Sequence, residues 1–502
     1  CNEHLCLTRP HIISEIHKAY LGAGSDIIET NTFGSTSVVV SEYDLSHLAR
    51  ALIREAARLA VAVAQEFSTT DKPRFVAGSM GPTTKTISVT GGITFDELAD
   101  AYKEQAIGLI EGGVDLLLLE TSQDTINVKA VLEGIDQAFL ELKTALPVSV
   151  QGTVEPMGTL LAGQDAEAFY TSLSHRDLLW VGFNCATGAE FMTDHIRTLA
   201  GISKFPVACL PNAGLPDEDG NYNETPEMMV STISRFLESG WINVIGGCCG
   251  TVPEHIKKLS EHVSQLSDTR TPVTNYESRV SGIEALTIDD ESRPTIVGER
   301  TNVLGSRRFR RLISEGSYEE GAEVGRRQVR NGAHILDVCL QDPDRDELSD
   351  VTKFLDELTK KVKAPIMIDS TDAKVLEEAL KKLQGKSIIN SINLEDGEER
   401  FQAVVPLAQR YGAALVVGCI DDDPNQAQAI TKERKLEVAL RSHKLLTEKY
   451  GVPEQDIIFD PLVFPAGTGD QNYVGSAAET IEGVRLIKEA LPNTKTILGI
   501  SN

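Results

Sequence analysis

The sequence is short of basic charge, of long apolar runs and of cysteine, and each shortage excludes something. Of its 502 residues, 48 are Lys or Arg against 74 Asp or Glu, a net charge of −26 at pH 7. Nucleic acids and anionic membrane surfaces attract net positive protein surface, so neither is an expected partner. No apolar stretch approaches the roughly 18 residues a membrane helix requires; the greasiest, Val114–Leu119 and Leu415–Val417, are strand-sized. Eight cysteines in this length are too sparse for a disulfide scaffold. No basic and apolar targeting segment stands at the start, so a cytoplasmic protein is expected. A first residue of Cys1 instead of Met leads us to expect that the chain starts inside a longer gene product. What is present, 41% hydrophobic and 24% charged residues, is the composition of an ordinary soluble globular protein.

Short apolar runs alternate with longer amphipathic ones, the pattern of repeated βα units around a parallel sheet. In the first half, strands are expected at Asp26–Phe33, Arg74–Gly81, Val114–Thr121, Pro147–Val154, Leu179–Cys185, Pro206–Pro211 and Ile242–Cys248. Leu45, Leu48, Leu52, Ala56, Leu59 and Val63 recur at three-or-four spacing and predict a helix packed on that sheet. After Leu266 the periodicity stops, and 266–294 reads as a linker with two prolines and scattered charge. The alternation resumes with strands at Thr295–Asn302, His334–Leu340, Ala364–Ser370, Ser387–Asn393, Ala413–Ile420, Asp456–Pro461 and Lys495–Asn502. The expected fold is α/β: two TIM (β/α)8-type barrels in tandem, over 1–265 and 295–502. The first half opens on a helix-like segment, Pro10–Leu21, and the second stops on a strand. The first barrel is therefore expected to lack its first strand and the second its last.

Gly246-Gly247-Cys248-Cys249-Gly250-Thr251 closes the last strand run of the first half. Neighbouring side chains on a regular strand point to opposite faces, but the flanking glycines permit an irregular backbone on which both thiols can turn inward. Cys185 sits at another carboxyl strand end, and in a barrel such ends meet at one mouth. Three thiolates with one open position describe a catalytic zinc site, with Cys185, Cys248 and Cys249 as metal ligands. The alternatives are small buried residues or a vicinal disulfide. Zinc on three thiolates is a poor Lewis acid, yet it can hold a substrate thiol as thiolate at neutral pH, which predicts sulfur alkylation in preference to hydrolysis.

Thr30-Asn31-Thr32-Phe33, Glu120-Thr121, Phe183-Asn184-Cys185, Pro211-Asn212-Ala213-Gly214 and the paired-cysteine run, in this order, resemble the homocysteine S-methyltransferase family of zinc barrels over about residues 1–265. The resemblance implies that Cys185, Cys248 and Cys249 bind zinc and act in catalysis, and that Glu120, Asn212 and Asn31 help hold homocysteine. A carboxylate at the mouth suits the substrate ammonium; without the resemblance, a solvated rim charge is the lesser alternative reading of Glu120.

In the second half, polar residues end the apolar strand runs: Asn302, Asp337, Asp369, Asn390, Asp460 and Asn502. Asp and Asn commonly cap such loops, but six around one mouth also suit a ligand. Aspartates accept the paired N–H donors of a 2-amino-4-oxo heterocycle such as a pterin, and asparagines offer donor and acceptor together. Gly298-Glu299-Arg300-Thr301-Asn302 with Gly305-Ser306-Arg307, Leu336-Asp337-Val338, Ile368-Asp369-Ser370, Ile389-Asn390-Ser391-Ile392, Phe459-Asp460-Pro461 and Gly499-Ile500-Ser501-Asn502 resemble the pterin-binding methyltransferase barrels. That resemblance implies that Asp369, Asn390 and Asp460 hold the pterin, that Gly305, Ser306 and Arg307 line the folate site, to which Asn302 and Asp337 also belong, and that Asn502 lies near the nitrogen carrying the methyl group, as a catalytic residue.

A homocysteine barrel followed by a folate barrel is similar to the cobalamin-dependent homocysteine methyltransferases. It implies methyl transfer from 5-methyltetrahydrofolate to homocysteine through methylcobalamin, giving methionine and tetrahydrofolate. The chain has no Asp-x-His-x-x-Gly motif, so the cobalamin-binding module is expected elsewhere, in cis or in trans. Two other readings stay open: a homocysteine methyltransferase with another methyl donor fused to a dihydropteroate synthase-like barrel, or a substrate-binding module without activity of its own.

Several lookalikes are set aside. Gly22-Ala23-Gly24 reads as a turn, Asp342, Asp344 and Asp346 as an exposed loop with Glu347 where calcium binding needs glycine, Asp421-Asp422-Asp423 as a solvated loop, and His334 as a core residue.

Overall fold

The computed structural model describes residues 1–266, 269–274, 277–465 and 471–500. They divide into two compact units, 1–170 with 176–274, and 171–175 with 275–502. No described helix is long and apolar enough to cross a membrane.

In the first unit seven strands pair in parallel in chain order: β1 (Ile27–Glu29), β2 (Phe75–Met80), β3 (Leu116–Ser122), β4 (Val148–Gly152), β5 (Val181–Gly188), β6 (Val207–Asn212) and β7 (Val244–Ile245). Leu116–Leu119 is buried along its whole length, because helices cover one face and the barrel interior the other. Ala77, Leu116, Leu118, Trp180 and Ala208 pack together in that interior. Outside it lies Ala49–Phe67, where Leu52, Ala56 and Val63 are buried as their spacing predicts, while Leu45 and Leu48 precede the helix in a tight turn. Phe95–Gly112 is bounded by a capping box, Thr94 with Glu97, and by Gly113 in the left-handed conformation at φ 91°. The helix Pro10–Gly22 leads into β1 through a turn at Ala23-Gly24. The outermost strands β1 and β7 are shorter than their apolar runs. Pairing on one side only gives them less reason to continue.

The second unit repeats the scheme with β10 (Val297–Asn302), β11 (Ile335–Cys339), β12 (Ile366–Asp369), β13 (Ile388–Ile392), β14 (Ala414–Gly418), β15 (Ile457–Asp460) and β16 (Lys495–Thr496), again parallel and in order. Both units are thus TIM-like α/β barrel sheets. Ahead of β10, within 266–294, β8 (Arg279–Ser281) and β9 (Ala285–Thr287) form an antiparallel hairpin. Val280 from it is buried against Ile335, Ile388 and Ala414, each the first residue of its strand, so the hairpin covers the end of the barrel opposite the polar mouth. Three-residue strands are too short to leave a period in the sequence.

Three expectations are corrected here. His334 is exposed, its Nδ1 accepting the Ile296 N–H at 2.9 Å, because the strand begins one residue later. Asp342 is buried, not loop-exposed, and receives the Arg310 guanidinium at 3.0 Å. Asp421 is likewise buried and is held by Arg434 and by Arg441, the latter at 3.2 Å, so it is an ion-pair hub instead of a solvated carboxylate.

Candidate functional site

Near its end β5 leaves regular geometry. Cys185 and Ala186 take left-handed φ values of 62° and 57°, and the pairing with β6 slips between Asn184 and Gly188. A bulge of this kind re-aims a side chain, here the Cys185 thiol. Beyond β7 the chain is held by three bonds to the end of β6. The Cys248 N–H donates to Pro211 O at 2.8 Å, the Cys249 N–H to Asn212 Oδ1 at 3.1 Å, and the Ala213 N–H to Cys249 O at 2.9 Å. Gly250, at φ 78°, lies so close under Tyr222 that a Cβ would stand 2.2 Å from its ring.

The three Sγ atoms of Cys185, Cys248 and Cys249 lie within 4.8 Å of one another, with Cys185 and Cys249 at 3.7 Å. All are free thiols, which removes the vicinal disulfide. Thiolates at about 2.3 Å around one tetrahedral ion stand about 3.8 Å apart, so the donor set fits zinc. Hydrogen bonds from Cys185 and then Cys248 hold the Cys249 thiol far below its ordinary range, while the same contacts raise Cys248. The Tyr222 phenol, on the loop after β6, is hydrogen-bonded to the Cys249 sulfur.

Beneath the thiols lies a cavity of about 960 Å³. Glu120, on β3, projects into it and is only 5% exposed, so it is not a solvated rim charge. Ser79 Oγ donates to it at 2.5 Å and Asn184 Nδ2 at 3.2 Å. Asn184 also donates to Thr121 Oγ1 at 2.8 Å and accepts the Thr121 N–H at 2.8 Å. This amide, one residue before Cys185, ties the carboxyl to the thiol strand. Glu29, the last residue of β1, is hydrogen-bonded to Glu120. It is open to the cavity's own space yet surrounded by protein, and that burial pushes it up to about 7. Burial, then the charge of Glu29, holds Glu120 well above the usual carboxylate range. Near neutral pH the pair shares a proton and carries about one negative charge.

Asn31 lines the cavity, its amide donating to Asn2 O at 3.1 Å. Asn212 is buried behind the thiols and positions the Cys249 backbone. Glu29, Ser79 and Tyr222 were not singled out from the sequence; Glu29 alone leaves a trace there, as a carboxylate ending an apolar run.

In the second unit the mouth is built from residues on successive strands, two of which, β10 and β13, slip in register near Thr301 and Asn390. Asp337 on β11 is 3% exposed and accepts from Asn390 Nδ2 at 3.4 Å; burial, then the charge of Asp369, pushes it up to about 8. Asp369, ending β12, is half-buried and raised by burial to about 6. Asp460, ending β15, is also raised by burial, and its Oδ1 accepts the Leu462 N–H at 2.9 Å. Asn302 folds its own turn, Oδ1 accepting the N–H groups of Leu304 at 2.8 Å and Gly305 at 2.9 Å. Ser306 caps the helix that begins at Arg307, and Arg307 is exposed. Asn502 lies outside the described residues. Arg400, missed in the sequence, clamps two strand ends through Ser370 O and Thr371 O at 2.6 Å each and Ser391 O at 3.3 Å.

Residues 1–263 match the family model of homocysteine S-methyltransferase, and residues 298–502 match that of pterin binding enzyme. Among solved structures, the metallated homocysteine methyltransferase MmuM from Escherichia coli is 20% identical, over 51% of this chain and 86% of its own, with a TM-score of 0.44. A dihydropteroate synthase from Xanthomonas albilineans is 19% identical, over 45% of this chain and 77% of its own, with a TM-score of 0.32.

Proposed function

Because the chain belongs to the homocysteine S-methyltransferase family and is a methyltransferase, we propose that it is the substrate-binding half of a cobalamin-dependent methionine synthase. In that reaction the N5 methyl of 5-methyltetrahydrofolate passes by way of a cobalamin carrier to the sulfur of homocysteine. The thiol loses its proton, and the folate nitrogen gains one. The observation that carries the proposal is the cluster of Cys185, Cys248 and Cys249 within 4.8 Å beside a paired carboxyl.

Cys185, Cys248 and Cys249 would hold zinc, and the bound ion would supply the acidity that keeps a substrate thiol deprotonated at neutral pH. The remaining work falls to the chain itself. Glu120 and Glu29 present one shared negative charge to the homocysteine ammonium. Asn184 fixes Glu120, and Asn212 and Asn31 support the thiol loop and the cavity wall. In the second unit the two environments divide the aspartates between roles. Asp337, pushed up to about 8, is a neutral donor at pH 7. Asp369, at about 6, is an ionised acceptor for the paired N–H groups of a pterin. Asn390 and Asp460 complete the edge contacts, and Asn302, Gly305, Ser306 and Arg307 form the adjoining wall. Asn502 is assigned to the methyl-bearing nitrogen. The cobalamin-binding module is supplied by residues outside this sequence or by a partner.

The test is to load the protein with zinc and follow 5-methyltetrahydrofolate-dependent methylation of added cobalamin, then methylation of homocysteine by methylcobalamin. Both half-reactions are expected. Methylation of homocysteine by a sulfonium or betaine donor, with none from methylcobalamin, would overturn the carrier assignment.

A further inference from the structure

Gln151 is fully buried on β4, lines the cavity beneath the thiols, and has no hydrogen-bond partner at either Nε2 or Oε1 among the described residues. An amide with both ends unpaired inside a protein is destabilising, so its presence calls for a ligand or a stabilising water. Its surroundings narrow the choice. Gln151 lies between the pairs Leu119↔Val150 and Ser122↔Gly152, on the strand next to Glu120 where β3 slips in register, and both side chains line the cavity. On its other side Gln151 pairs with Gly182, where a Cβ would stand 2.2 Å from Ala208 O. No side chain fits there to satisfy the amide. The wall below is apolar, Leu118, Leu210 and Val244, and the thiols are above. The polar groups facing this space are therefore the Glu29–Glu120 carboxyl pair, the Gln151 amide with a free donor and a free acceptor, and the unpartnered ring nitrogens His17 Nε2 and Trp180 Nε1; of these only the amide offers donor and acceptor together beside the carboxyl pair.

We propose that Gln151 is a specificity-determining residue that reads the zwitterionic head of an α-amino-acid thiol. Nε2 donates to the substrate carboxylate, and Oε1 accepts from its ammonium alongside Glu120. This rests on the homocysteine reading above and extends it to the choice of an amino-acid thiol over a simple alkyl thiol. A site built with buried polar groups rejects a ligand lacking their partners, because those groups are then left unpaired.

The experiment compares zinc-loaded wild type with Gln151→Met and Gln151→Leu by titration calorimetry, using L-homocysteine, 3-mercaptopropionate and 1-propanethiol. Wild type should bind L-homocysteine most tightly. In both variants that affinity should fall about tenfold or more, with 1-propanethiol changed less than twofold. The zinc-free variants should also melt at or above the wild-type temperature, since an unpaired polar group has been replaced by an apolar one. An equal loss for all three thiols, an unchanged L-homocysteine affinity, or a lowered melting temperature in both variants would overturn the assignment. Failure of wild type itself to bind L-homocysteine would instead count against the homocysteine reading.

Discussion

The two units carry the same parallel seven-strand sheet and opposite kinds of mouth. In the first, the reactive atoms are soft sulfurs on backbone that has left the strand: Cys185 at φ 62°, and the Cys248–Cys249 loop hung from β6. In the second, they are hard oxygens and amides, Asp369 and Asp460 closing regular strands and Asp337 and Asn390 within theirs. A metal needs several donors converging on one point within about 4 Å, which regular strands do not provide, since neighbouring strands stand about 4.8 Å apart and side chains alternate. A flat heterocycle needs donors and acceptors spread along an edge, which successive strand ends provide even though β10 slips in register between Gly298 and Thr301 and β13 between Ile389 and Ile392. The scaffold is shared, and the last few residues of each strand decide the chemistry.

The largest effect that would break this contrast is loss of the sulfur site. Cys248→Ser is expected to lower bound zinc from about one per chain to about a tenth or less, measured by elemental analysis after dialysis; full occupancy would mean the three thiols are not the ligands. Next in size, Asp369→Asn is expected to weaken binding of a pterin or folate by about 10- to 100-fold, the equivalent of one charge-assisted hydrogen bond, read by titration calorimetry. Zinc content should stay unchanged, and a parallel loss of both would deny that the units work as separate sites.

A smaller effect concerns what holds the second mouth in place. Lys435 is fully buried, donating to the carbonyls of Ala429, Pro461 and Leu462 just beyond Asp460. Lys435→Met strips those acceptors of their donor and is expected to cost about 2 kcal/mol in urea unfolding of the second unit, with weaker folate binding and no change in zinc. The smallest is a pH slope. Burial pushes the folded Asp337 carboxyl up to about 8, far above its ordinary value of 3.8, so between those values the folded state binds more protons than the unfolded one. Its contribution to stability is therefore lost as pH rises from about 4 to about 8. Asp337→Asn mimics the protonated form. Its stability relative to wild type should grow across that window, checked by urea midpoints at intervals of pH, and a constant difference would sink the assignment of a raised pKa.

Much of this was legible as pattern. Every strand of both sheets overlaps one of the expected runs, and the interior ones were legible because a strand covered on both faces is apolar, as Leu116–Leu119 shows. The cysteine motif was legible because glycines around paired thiols have few other uses. The hairpin at Arg279–Thr287 left no signal, and the acidic runs at Asp342 and Asp421 were misread, because burial by Arg310, Arg434 and Arg441 depends on helices distant from those loops. Glu29, Arg400 and Tyr222 escaped for the same reason.

The sequence by itself determined the tandem barrels, the three thiols and the ring of Asp and Asn, because strand periodicity and strand-end position are local properties. Only the tertiary structure decided that Glu29 meets Glu120, that Asp337 and Asp369 titrate apart, and that Gln151 stands unpaired in the cavity. Those facts depend on which side chains share an enclosed space and how far water is kept from them, and burial of this kind comes from strands brought together across long stretches of chain.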